Sequence, residues 1–131
     1  MAAFYLLAGI LHIARPEKFL PIVPGWVPFP ALTIWLTGLC EIAGSVALLM
    51  PRPPWLRRLA GIMLALYAVA VFPANLKHAF EGIDLPPVPD TWWYHAPRLA
   101  FQPVLVWWAL FCAGVIDWPL RAKRENSSGA P

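Results

Sequence analysis

ALTIWLTGLCEIAGSVALLM, residues 31–50, is the stretch on which the reading of the whole chain turns. It runs for 20 residues with one charge, Glu41, near its middle. At 1.5 Å per residue a helix of this length spans roughly 30 Å, the thickness of a bilayer's hydrocarbon core. A carboxylate at that depth costs about 2.5–3.5 kcal/mol on insertion scales. It must therefore face a protein interior or a wet cavity, and the remaining segments are read for what surrounds it.

The composition agrees with a membrane solvent. Of 131 residues, 60% are hydrophobic and only 13% charged, and the mean hydropathy is +0.60. Soluble domains run nearer to about 45–50% apolar and about 25% charged. The net charge of +3 is spread over segment ends and forms no basic patch, so nucleic acid is not an expected partner and the lipid bilayer is. Cys40 and Cys112 sit in separate apolar runs without metal-ligand spacing, so no metal site is expected.

Outward from Ala31, the chain divides into alternating apolar and proline-rich parts. Met1 to Ala14 is a first apolar helix of about 21 Å, short of a full crossing. The expectation is that it starts within the bilayer or is incomplete as written. Arg15 to Pro30 carries Pro16, Pro21, Pro24, Pro28 and Pro30 beside Phe19, Trp26 and Phe29. This reads as a short amphipathic segment at the membrane surface, with Pro16 and Glu17 suited to a helix start. A third helix is expected from about Leu56 to Phe80, kinked by Pro73, and a fourth from Pro97 to about Trp118. Trp92, Trp93 and Tyr94 are assigned to an interfacial loop.

The expected fold is all-α: an integral membrane four-helix bundle, up-down-up-down, with the interfacial segment after helix 1. Residues 1–120 form its transmembrane domain and residues 121–131 a disordered cytoplasmic tail. The turn at 51–58 bears Arg52, Arg57 and Arg58 without an acid, which puts it and both termini in the cytoplasm.

Helical phase then gathers the polar residues. Tyr5, Gly9 and His12 share a face of helix 1. Thr33, Thr37, Glu41, Gly44 and Ser45 share one on helix 2, Gly61, Ala65, Ala68 and Asn75 one on helix 3, and Arg98, Gln102, Ala109, Ala113 and Asp117 one on helix 4. Each polar residue lies on a face of small residues, where membrane helices approach closely. The expectation is a polar pocket that opens toward the outer leaflet, with Glu41 at its floor. Glu41 and His12 are the candidate proton-relay residues, and Asn75, Arg98 and Gln102 the candidate ligand-binding residues. Glu41 is expected to take a hydrogen bond from His12 or Gln102 rather than pair directly with Arg98.

The strings LHIARPEKFLPIVPGWVP, GLCEIAGSVALLMP, VFPANLKHAF and RLAFQPVLVWW together resemble the DoxX family of small bacterial membrane proteins. By that resemblance His12, Pro16, Phe19 and Pro24 fall on a first-loop signature. Glu41 falls on a second-helix acid, Pro73 and Asn75 on an FPAN-like element, and Arg98 with Gln102 on a fourth-helix polar pair. The resemblance implies a four-helix protein of the bacterial inner membrane. It also implies a link, known for some relatives, to quinone-coupled oxidation of sulfur compounds or to thiol stress. No cysteine pair suited to disulfide exchange is present.

Three functions compete at this level. The first is a redox-linked subunit that binds a quinone or similar molecule. The chain has no haem, flavin or iron–sulfur motif, so no cofactor is intrinsic and electrons come from redox partner proteins. The second is a non-enzymatic membrane assembly or interaction protein. The third is a small proton-coupled transporter, which the two long proline-rich loops and the acid on the second rather than the first helix argue against.

Overall fold

The computed structural model describes residues 1–83, 86 and 89–118, and among these there is no β-strand. Helix α1 spans Ala2–Ala14 and α2 spans Pro16–Phe19, followed by a 3-10 turn at Leu20–Ile22. Then come α3 at Pro30–Leu49, α4 at Pro54–Ala70, α5 at Phe72–Glu81 and α6 at Trp92–Cys112. Two helical stretches are long and apolar enough to cross a membrane: Pro30–Leu49, and α4 with α5 taken together over 28 residues. The C-terminal tail assigned to disorder lies outside the described residues.

Proline sets most of the boundaries. Pro16, Pro30 and Pro54 open α2, α3 and α4, where the missing N–H is one that a helix leaves unbonded anyway. Pro51 biases Met50 to an extended conformation, φ −70° and ψ 125°, and α3 stops there. The third helix is broken at Val71: Pro73 lacks a donor, so the chain divides into α4 and α5 where a kink was expected.

The last helix departs from the expected bounds at both ends. It begins at Trp92, with Thr91 extended before it, and tolerates Pro97 and Pro103 in its interior. It ends at Cys112 because Gly114 adopts φ +68°. The Val115 N–H reaches the Leu110 carbonyl and the Gly114 N–H reaches that of Phe111, the paired bonds of a Schellman stop. Asp117 therefore lies beyond the helix on exposed chain and does not join the α6 stripe.

Packing runs α1 against α3, α3 against α4, and α4 against α6, with α5 leaning on α6. Small residues carry these crossings. A Cβ on Gly9 would meet the Gly38 carbonyl oxygen at 2.7 Å, and one on Gly61 would clash with the Ala113 Cβ. Tyr5, Leu64, Ala65 and Ala109 bring α1, α4 and α6 together in one buried cluster. On α3 the buried face is Ile34, Gly38, Glu41 and Ser45, turned by about one residue from the expected stripe. The opposite faces stay apolar, with Leu7, Leu36, Leu39, Leu66 and Val69 all exposed.

Candidate functional site

The site begins with a carboxylate. Glu41 is 3% exposed in the middle of α3, and Gly9 and Gly38 let α1 approach closely enough to present His12 to it. His12 Nδ1 lies 2.8 Å from Glu41 Oε2 and 2.9 Å from the Ala8 carbonyl oxygen. A carbonyl can only accept, so Nδ1 carries the proton and donates to both oxygens. The ring is held from its face by Phe19, stacked at 4.1 Å. Tyr67 of α4 lies alongside Glu41 and Thr37. Ser45 and Thr37 turn their hydroxyls back onto helix carbonyls, those of Glu41 and Ile34, and so satisfy themselves within α3.

A second polar group is built on α5 and α6. Arg98 donates from Nη2 to Asn75 Oδ1 at 2.6 Å and from Nη1 to His78 Nδ1 at 2.8 Å. Nη1 also lies 3.4 Å from the Tyr94 hydroxyl, and the guanidinium sits over the Tyr94 ring. Asn75 Nδ2 donates to Gln102 Oε1 at 3.1 Å, and Gln102 Nε2 donates to the Ala68 carbonyl. Arginine at one end can only donate and the carbonyl at the other can only accept. Both amide orientations are thereby determined, and every bond in the chain points away from Arg98. Among the described residues no carboxylate lies within salt-bridge distance of Arg98.

The two groups line one cavity of about 620 Å³. The rest of its wall is largely apolar, with Leu11, Ile34, Phe101 and Leu105 on the helices and Val71 at the break between α4 and α5. The proline-rich segment closes it from another side with Phe19, Ile22, Val23, Pro24, Trp26 and Val27. Lys77 of α5 fastens that segment by donating to the Pro21 and Val23 carbonyls, each at 2.9 Å. A volume of this size suits a drug-sized molecule, for which mostly apolar walls with a few fixed polar groups are usual.

All five residues singled out in the sequence border this cavity: His12, Glu41, Asn75, Arg98 and Gln102. His12 bonds Glu41, whereas Gln102 is committed to Asn75 and Ala68. Sequence reasoning passed over Tyr67, His78 and Tyr94. His78 follows Asn75 by three positions and so shares its face. Tyr94 precedes Arg98 by four, but the sequence places it in a loop because Pro97 reads as the start of α6. Among the described residues no group of three or more histidine, cysteine or acidic side chains is placed to hold a metal ion.

The chain belongs to the family described as a domain of unknown function, DUF8561, which matches residues 1–113. The matched span contains every residue of the cavity. Searches of curated proteins and of solved structures gave no match.

Proposed function

We propose that this chain is a multi-pass protein of the bacterial cytoplasmic membrane whose pocket binds a quinone, or a similar apolar molecule with two carbonyl oxygens, for redox partner proteins. The observation that carries the reading is the pairing of two unlike polar poles across one apolar cavity: His12 with Glu41 on α1 and α3, and Arg98 with Asn75, His78 and Tyr94 on α5 and α6. The resemblance to the DoxX family points to the same class of ligand.

Quinone chemistry needs donors at both oxygens and a carrier for each proton. At one pole Arg98 and the Tyr94 hydroxyl donate to a carbonyl oxygen, and stabilise the negative charge it gains on reduction. At the other pole the His12–Glu41 pair hands over a proton and recovers it, a role suited to an intramembrane acid bonded to an imidazole. The electrons come from a partner, and the apolar walls hold the ring and the start of its tail.

Four crossings with both termini in the cytoplasm suit this reading. The outward faces of α1, α3 and α4 are apolar, as lipid demands and water does not. The positive charges of Arg52, Arg57 and Arg58 support a cytoplasmic place for the turn between α3 and α4.

Calorimetry on the protein in lipid nanodiscs, titrated with a short-tailed benzoquinone, tests the proposal. Wild-type protein should bind saturably. Loss of a charge-assisted hydrogen bond is worth about 1.5–3 kcal/mol, so Arg98→Gln should weaken binding by roughly ten- to a hundredfold. Glu41→Gln should bind and yet fail to support turnover with a redox partner. Absent binding by folded wild-type protein, or equal binding by folded Arg98→Gln, refutes the reading.

A further inference from the structure

Two buried imidazoles stand outside the account so far. His78 and His95 are each 2% exposed, and their rings meet edge to face with centroids 4.7 Å apart. His78 Nε2 and His95 Nδ1 are both buried and make no hydrogen bond of ordinary geometry among the described residues, although the Ile83 backbone lies near His78. Buried polar atoms left unpaired are uncommon, and each costs about 1–3 kcal/mol. Two of them on adjoining rings call for a common explanation.

Their neighbours determine what each orphan is. Arg98 only donates, so His78 Nδ1 accepts, and the proton of the neutral ring sits on Nε2. The orphan on His78 is therefore a donor. His95 Nε2 lies 3.0 Å from Asp90 Oδ1, so the proton of that ring sits on Nε2, and the orphan Nδ1 is an acceptor. A lone donor faces a ring with a lone acceptor. The rings meet edge to face, so a proton passes between them only when one ring turns to aim His78 Nε2 at His95 Nδ1. Asp90, at the far end, is open to solvent, and His78, at the near end, lines the cavity.

We propose that Asp90, His95 and His78 form a proton route between solvent and the Arg98 wall of the cavity, separate from the His12–Glu41 pair. The route goes beyond the quinone reading, because it serves any ligand that gains or loses a proton at that wall. Outward transfer runs in three linked steps. A ligand O–H displaces the Arg98 N–H from His78 Nδ1 and leaves its proton there. His78 Nε2 passes its own proton to His95 Nδ1. His95 Nε2 passes its proton to Asp90 and so to water. One proton leaves the ligand and one reaches solvent, and each ring ends in its other tautomer; inward transfer to a ligand that gains a proton restores both rings. While Arg98 holds His78 Nδ1, the inner end is closed, so an empty cavity does not leak protons. Arg98 and Asp90 are the charged groups that bear on His78, and Tyr94 and Trp92 complete the walls around the two rings.

Nitrogen-15 NMR of histidine-labelled protein in lipid nanodiscs, with no ligand added, tests the route. The expected result is a through-bond coupling between His78 Nε2 and His95 Nδ1, together with exchange of the His78 ring N–H for deuterium on transfer to D2O. Asp90→Asn and His95→Gln should each slow that exchange by at least about tenfold, while circular dichroism and the thermal midpoint stay unchanged. Asp90→Asn lies at the exposed end, so the test stands even where His95→Gln disturbs the fold. Unchanged exchange in folded Asp90→Asn protein overturns the proposal. So does a His78 Nε2–H bonded steadily to the nearby Ile83 carbonyl, because that marks the ring as purely structural. The quinone titration and this exchange measurement are independent, so either can fail while the other stands.

Discussion

A double-mutant cycle on His12 and Glu41 gives the energetic meaning of the buried pair. His12→Leu removes the donor at 2.8 Å and leaves a carboxylate that is 3% exposed without its imidazole. Breaking one side of a buried pair costs about 3–5 kcal/mol in soluble proteins. In a membrane the separated helices also find partners, and measured couplings between membrane helices average about 0.6 and reach about 1.7 kcal/mol. The pair here is short and largely buried, which puts it at the upper end of that range, so the coupling should be about 1–2 kcal/mol. Glu41→Leu in the His12→Leu background removes the unpaired charge, and the double variant should be more stable than the sum of the single losses predicts. Denaturant unfolding in mixed micelles, followed by circular dichroism on wild type, both single variants and the double variant, measures this. Additivity within about 0.5 kcal/mol would refute the claim that the two side chains form one unit.

Gly61→Ala should destabilise the protein by about 1–3 kcal/mol, read from the thermal midpoint, because the new Cβ would clash with the Ala113 Cβ and meet the Ala109 carbonyl at 2.8 Å. Gly25→Ala, with nothing within 4 Å, is the matched control and should leave the midpoint in place. Lys77→Met removes both bonds to the Pro21 and Val23 carbonyls, so backbone amides between residues 20 and 29 should exchange faster while those of α3 do not change. Reporter fusions at the C-terminus should report cytoplasm, and a periplasmic signal would reverse the orientation argued from Arg52, Arg57 and Arg58.

Much of the site was legible because helical phase is a local property. His12, Glu41, Asn75, Arg98 and Gln102 were selected as polar residues on small-residue faces, and the same small residues let the helices approach around the cavity. Boundaries were less legible. Pro97 looked like a helix start, yet α6 begins five residues earlier at Trp92, and so Tyr94 was lost from the site. Gly114 is a stop signal that the apolar run beyond it concealed. What no single helix could reveal is partnership between helices. That Arg98 would spend its donors on Asn75 and His78, and that His78 would stand against His95, depends on how α5 leans on α6 after the break at Val71. The proline-rich segment read correctly as a short helix start at Pro16. Its role as a wall of the cavity depends on Lys77, 54 residues away from Val23 in sequence.

The most direct test of the account is a density map of the full-length protein purified in native lipid. The account predicts a compact ligand within the cavity, in contact with Arg98 or Tyr94 at one end and with the His12–Glu41 pair at the other, and extracted as a quinone or a molecule of like polarity. A cavity filled by lipid acyl chains that touch neither pole, or closed by its own side chains, would contradict it.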